Sequence, residues 1–139
     1  MKKPTAGMPE DWRESVDENI RCGLIEILIL SMLSNRDMYT YEIKLELSKR
    51  SGGKFQLRDG SMYGPMYRML ERKLISSRQE LVGEKRFRNY YHLEDSGKEY
   101  LDFSVRKFYE IFGITDSIIS ECKLKNSINC DDQNGDNQQ

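Results

Sequence analysis

Histidine occurs once in this sequence, at His92, which leaves almost none of the side chain most often recruited for acid–base and metal chemistry near neutral pH. The three cysteines, Cys22, Cys122 and Cys130, are odd in number and widely spread. None has a second cysteine or His92 at the short spacing a zinc site needs, so they read as thiols of a reducing compartment and no metal is expected. Gly52, Gly53 and Gly60 do not form a phosphate-cradling loop after a strand, and no cofactor is expected. The longest apolar run, Gly23 to Leu33, carries Glu26 in its middle and falls far short of the ~20 residues that cross a bilayer. No apolar segment follows Lys2-Lys3-Pro4, so no secretory leader and no membrane association are read, and the chain is expected in the cytoplasm. The inventory argues against an enzyme.

What is present is a 139-residue chain with 37% hydrophobic and 32% charged residues, enough for one domain with a modest core. The net charge of -1 conceals a segregation: Lys44 to Arg88 holds twelve Lys or Arg against five Asp or Glu. That window is close to +7 and the flanks close to -8. The acidic flanks include Glu10, Asp11, Glu14, Asp17 and Glu18 at one end and Asp131, Asp132 and Asp136 at the other. A basic centre is the footprint of a surface that meets phosphates, although a solvated charged surface accounts for the same numbers.

Hydrophobic spacing predicts a first helix over about 15–34, with Val16, Ile20, Leu24, Ile27, Leu28 and Leu33 three and four residues apart. Asn35-Arg36-Asp37 reads as a turn. A second helix is expected over about 40–50, capped by Thr40, with Tyr41, Leu45 and Ser48 on one side, Ile43 and Leu47 beside them, and Gly52-Gly53 ending it. A third helix follows Asp59-Gly60-Ser61. Its inward stripe is Met62, Met66, Met69, Leu70 and Lys73, and Pro65 should hold its start to about Ser61 or later, with Asp59 or Ser61 as the cap. Residues 75–82 and 87–93 read as two strands around the loop 83–86. After Asp95-Ser96-Gly97 a long helix carries Leu101, Val105, Phe108, Phe112, Thr115, Ile119 and Cys122 in alternating steps of four and three. From Asn126 onward ten of fourteen residues are Asn, Asp or Gln, so 126–139 reads as a disordered tail.

The fold class that follows is mainly α with a small β-hairpin: a winged helix-turn-helix followed by a long C-terminal dimerisation helix. The organisation is an N-terminal arm at 1–14, the winged module at 15–93, the dimerisation helix at 94–125 and the tail. The stripe Leu101, Val105, Phe108, Phe112 and Ile119, widened by Phe103, Ile111, Ile114 and Ile118, is broader than one small module covers, which points to a homodimer; folding back on its own module is the alternative.

Opposite the methionine stripe of the third helix lie Ser61, Gly64, Tyr67, Arg68 and Glu71, with Tyr63 at the flank. A helix entering a groove ~12 Å wide needs hydrogen-bonding side chains without excess bulk there. Gly64 lets the backbone approach, Ser61 and Tyr63 donate to phosphate or base edges, and Arg68 reaches guanine or phosphate. Core packing is the competing reading for Tyr63 and Tyr67. Lys85, Arg86 and Arg88 at the hairpin suit the sugar-phosphate backbone or the minor groove. His92, beside Tyr90 and Tyr91, reads as a half-buried strand residue.

Several motifs recur together in a familiar order: Leu24-Ile25-Glu26-Ile27-Leu28-Ile29-Leu30, Tyr39-Thr40-Tyr41-Glu42-Ile43, the run from Gly60 to Met69, Leu74-Ile75, and the run from Arg88 to Gly97. Over roughly Leu24 to Phe112 the sequence resembles the PadR-like transcriptional regulators of bacteria. It departs from them at Thr40 and Lys73, where glycine is usual, and at Leu70, where glutamate is usual. The resemblance implies a winged helix-turn-helix repressor that dimerises through its first and last helices and binds double-stranded DNA at an inverted-repeat operator. Gly60 to Met69 would be its recognition helix and Gly83 to Arg88 its wing. Some relatives bind flat aromatic compounds between the final helices, where this chain has Phe108, Tyr109 and Phe112; the same aromatics suit a plain dimer core. The reading is a dimeric sequence-specific DNA-binding regulator, a repressor released by a small aromatic effector. The alternative is a protein-interaction module on the same scaffold without DNA binding.

Overall fold

The computed structural model describes residues 7–122. The expected disordered tail and the first six residues of the expected arm lie outside that range. The element order is α1 (Glu10–Cys22), α2 (Ile25–Asn35), β1 (Met38–Tyr39), α3 (Thr40–Arg50), α4 (Asp59–Glu71), β2 (Ile75–Val82), β3 (Arg86–Leu93) and α5 (Asp95–Glu121). This mainly helical chain with a small antiparallel sheet has a winged-helix architecture. It divides into two compact units, one ending at Leu101 and the other starting at Asp102. No helix among the described residues is long and apolar enough to cross a membrane.

The apolar periodicity expected to build one helix over 15–34 builds two. The first starts earlier, at Glu10, and stops at Cys22; Gly23 caps it, and the Leu24 amide bonds back to the Arg21 carbonyl at 2.8 Å. Glycine costs a helix interior about 1 kcal/mol, and α1 buries none of its residues, so little favours carrying the helix through. Arg21 docks the end of α1 instead, with Nη2 donating to the Lys54 carbonyl at 2.6 Å and pairing with Asp17 at 2.8 Å. Its guanidinium also lies 5.0 Å from the Phe55 ring centroid.

The core joins Ile25, Ile29, Leu30, Met32 and Leu33 of α2 to Met38, to Ile43 and Leu47 of α3, and to Met62, Met66 and Met69 of α4. Leu74, Ile75, Leu93 and Leu101 close it. Each fully buried aliphatic side chain here is worth roughly 1.5–3 kcal/mol. On α3 the buried pair is Ile43 and Leu47, while Tyr41 and Leu45 face outward. Thr40 is the first helical residue and Tyr39 its N-cap; Glu42 reaches back to accept from the Tyr39 amide at 3.3 Å. At the other end Gly52 and Gly53 both take positive φ, and the Gly53 amide bonds to the Ser48 carbonyl at 2.7 Å.

α4 begins at Asp59, two residues earlier than Pro65 suggested, with Arg58 as N-cap. Pro65 therefore sits in the second turn and withholds the donor that the Ser61 carbonyl would have received. Ser61 is exposed, so water can take that place at small cost. The helix ends in a Schellman motif: Leu74 N–H bonds to Met69 O at 2.9 Å and Lys73 N–H to Leu70 O at 3.0 Å. Lys73 occupies the left-handed position with φ 61° and is exposed, so it is not part of the inward stripe expected of it.

β2 and β3 pair from Ile75↔Leu93 to Val82↔Arg86, around Gly83-Glu84-Lys85. Arg86 thus belongs to β3 rather than to the loop. β1, too short for any alternation to reveal, adds Met38↔Tyr91 and Tyr39↔Tyr90 on the free edge of β3. The joint to α5 is tight. The Glu94 amide bonds to the Leu74 carbonyl at 2.9 Å, Ser96 Oγ donates to the Lys73 carbonyl at 2.6 Å, and a Cβ on buried Gly97 would stand 2.1 Å from Leu74 O.

Candidate nucleic-acid interface

α4 turns two unlike faces outward and inward. Met62, Met66 and Met69 are buried, whereas Ser61, Tyr63, Gly64, Tyr67 and Arg68 are exposed. Tyr63 is 71% and Tyr67 67% exposed, which rules out core packing for both in this chain. A Cβ on Gly60 would meet nothing within 4 Å, so no internal crowding requires glycine there. The result is a helix flank with two phenol hydroxyls, a serine and a low-relief strip of backbone, the shape and chemistry a DNA groove accommodates.

Arg68 is exposed but not unattached. Its Nε and Nη2 donate to Glu26 Oε2 of α2 at 3.1 and 3.0 Å, and Tyr100 Oη donates to Glu26 Oε1 at 3.2 Å. Arg72 Nη1 donates in turn to Tyr100 Oη at 3.4 Å. Sequence reasoning singled out Arg68 and missed Glu26 and Tyr100; the available signal was a lone carboxylate inside an apolar helix. Beside Arg68, α1, the α3–α4 loop and α4 bound a cavity of about 390 Å³. Glu14, Asp17 and Glu18 line one side, and Arg58, Ser61 and Arg68 the other.

The hairpin separates its basic residues. Lys85 and Arg86 are exposed at the tip, while Arg88 is half-buried with its guanidinium 4.3 Å from the Tyr39 ring centroid. Tyr39 meets Tyr90 edge-on at 5.3 Å, and Arg78 stacks over Tyr90 at 5.4 Å. Arg78 and His92 both hold Asp37, with His92 Nδ1 2.7 Å from Asp37 Oδ1. His92 is thus an exposed residue tied to a carboxylate rather than a half-buried one. Partial burial opposes the charge on Asp37, but the hydrogen bonds from His92 and Arg78 outweigh it and hold the carboxyl below its usual value.

Within α5, Leu101 belongs to the core of its own unit, and Val105 and Phe108 are half-buried. From there Tyr109, Ile111, Phe112, Ile114, Ile118 and Ile119 are exposed. Phe108 contacts Tyr109 edge-on at 5.1 Å and stacks with Phe112 at 6.1 Å. On α1, Trp12, Val16 and Ile20 form a second exposed apolar stripe at i, i+4 and i+8. No group of three or more His, Cys, Asp or Glu among the described residues could hold a metal ion.

Comparison with known proteins places these features in a family. Residues 29–102 match the transcriptional regulator PadR-like family. An uncharacterized protein of Lysinibacillus sphaericus is 30% identical over 101 residues, covering 73% of this chain and 93% of that one. A PadR family transcription regulator from Clostridium difficile is 31% identical with a TM-score of 0.58, over 69% of this chain and 98% of its own. A transcriptional regulator from Thermoplasma acidophilum is 28% identical with a TM-score of 0.64, over 76% and 99%. The PadR family regulator of Eggerthella lenta, at 21% identity, shares the fold with a TM-score of 0.72 over 81% and 96%. With the family profile spanning most of the winged module and a relative matched over nearly its whole length, this chain belongs to the PadR-like family of DNA-binding transcriptional regulators.

Proposed function

We propose that the protein is a dimeric, sequence-specific repressor that binds an inverted-repeat operator. The observation that carries this is the exposed surface of α4, where Tyr63 and Tyr67 stand out with Ser61 and Gly64 while Met62, Met66 and Met69 of the same helix are buried. In this reading α4 enters the major groove, Ser61, Tyr63, Tyr67 and Arg68 meet bases and phosphates, and Lys85 and Arg86 at the wing tip hold the backbone. Arg88 braces the wing from its place against Tyr39. The winged module over 15–93 carries recognition, and α5 pairs two copies, with its Val105, Phe108, Phe112 and Ile119 and the stripe on α1 covered in the dimer. Phe108, Tyr109 and Phe112 are the aromatics available to a small aromatic effector that would release the operator.

The test is a binding titration across salt concentrations, using duplexes selected from a random library and shuffled controls. Log affinity should fall steeply with log salt. Lys85→Ala with Arg86→Ala should weaken both duplexes alike while flattening the slope by roughly 0.9 for each phosphate no longer neutralised. Absence of salt-dependent binding to any duplex would favour a protein-interaction role for the scaffold.

A further inference from the structure

Glu26 is the one charged residue of α2, and side chains from two other helices converge on it. Arg68 of α4 gives two donors to Oε2, and Tyr100 of α5 gives its hydroxyl to Oε1, so both carboxylate oxygens are engaged and the group is held in one orientation. Arg72 braces Tyr100 from the end of the recognition helix. The Arg68 fork is held by its Nε and Nη2 edge, which leaves Nη1 above Gly64, where a Cβ would lie 3.4 Å from it. Gly64 belongs to the exposed flank that faces DNA in the reading above.

We infer that Glu26 is a positioning residue for DNA recognition: it holds Arg68 over Gly64 with its charge already paired, so that the guanidinium acts as an aimed hydrogen-bond donor instead of a mobile cation. An unpaired arginine on a long flexible stem is drawn to any phosphate, adds to non-specific affinity and carries no sequence information. An arginine ordered before binding loses less freedom when it meets a base edge. The pair is partly solvated, with side-chain exposures of 51% for Arg68 and 22% for Glu26, and surface pairs of that kind stabilise a fold only slightly. Its physical consequence is therefore orientation. Tyr100 lies in the part of α5 that packs with the winged module, which gives that helix a direct hold on the aim of Arg68.

This inference rests on the DNA-binding reading, and the experiment separates the two. Glu26→Gln in the full chain is titrated against a duplex selected by the wild-type protein from a random library and against a shuffled duplex, over a range of salt concentrations. Freed Arg68 should make the salt slope on the shuffled duplex steeper by about 0.9, and the ratio of selected to shuffled affinity should fall by roughly tenfold. Arg68→Lys, which keeps the charge but cannot make the two-donor clamp, should show the same fall in ratio and serves if Glu26→Gln does not fold. An unchanged ratio in either folded variant, or an equal loss on both duplexes at an unaltered slope, would overturn the inference. If the wild-type chain itself binds no duplex in a salt-dependent way, the DNA-binding reading fails first.

Discussion

α4 and the part of α5 beyond Leu101 are both amphipathic helices with bulky apolar stripes, yet their stripes end up in opposite places. α4, packed with α2 and β2, buries Met62, Met66 and Met69. α5 beyond Leu101 leaves Tyr109, Ile111, Phe112, Ile114, Ile118 and Ile119 exposed. Periodicity alone states that a helix has an apolar face; it does not state whose surface covers it. The difference teaches where this chain is complete by itself and where it presents a surface wider than a solitary soluble protein ordinarily shows.

The largest effect should come from breaking the exposed side of that contrast. Phe108→Asp with Phe112→Asp should convert a dimer into monomers in sedimentation. Selected-duplex affinity should then collapse toward the shuffled-duplex value, because two recognition helices are no longer held about 34 Å apart. The winged module should keep its fold by circular dichroism. Wild-type protein sedimenting as a monomer at micromolar concentration would rule out the dimer.

The covered side of the contrast breaks at Gly97. A methyl there meets the Leu74 carbonyl and the Leu93 side chain, both part of the joint between α4 and α5. Gly97→Ala should lower unfolding stability by about 2–3 kcal/mol in a urea titration, a cost typical of overpacking a closed site. A drop of no more than a few tenths of a kcal/mol would show that this joint can slide.

A smaller effect, of opposite sign, is expected at the end of α4. Lys73 holds a left-handed backbone conformation without being glycine, and Lys73→Gly should raise stability by up to about 1 kcal/mol by relieving that strain. A decrease in the urea midpoint would show that the Lys73 side chain contributes more than its backbone costs.

The smallest effect sharpens the comparison through pH. Asp37 has a carboxyl held below its usual value in the folded chain, so the unfolded chain binds its proton more readily. Stability from its contacts is therefore present above the ordinary carboxylate range and lost as pH falls through the depressed value. Asp37→Asn should flatten that acid limb of the stability profile while leaving self-association of α5 untouched. An unchanged acid limb would mean that other carboxylates set it.

Much of this was legible from residues one at a time. The three methionines spaced along α4, the hairpin around Gly83 and the glycines ending α3 are local signals, because helix and strand periods and left-handed positions act over a few residues. The break after Cys22 was not legible, since apolar spacing runs through Gly23 without a fault. The early start of α4 was also missed: Pro65 bars a donor, not a helix, when the orphaned carbonyl belongs to an exposed residue. Tyr63 and Tyr67 are exposed on α4 and Lys85 lies in the hairpin loop, where the pattern put them, whereas Arg86 opens β3. Arg88 turned onto Tyr39 because β1, a two-residue strand, brings that ring beside it.

The sequence by itself determined the winged-helix class, the segregation of basic charge in the middle of the chain and the apolar periods of every long helix, since each depends on spacing along the chain. Only the tertiary structure decided that Glu26 reaches Arg68 and Tyr100, that Asp37 gathers Arg78 and His92, and that Leu101 closes the core while Phe112 stays uncovered. Those outcomes join residues 42, 74, 41 and 55 positions apart. Local spacing cannot encode such pairings; they appear when helices and sheet are packed and each charged group finds a partner within hydrogen-bond reach.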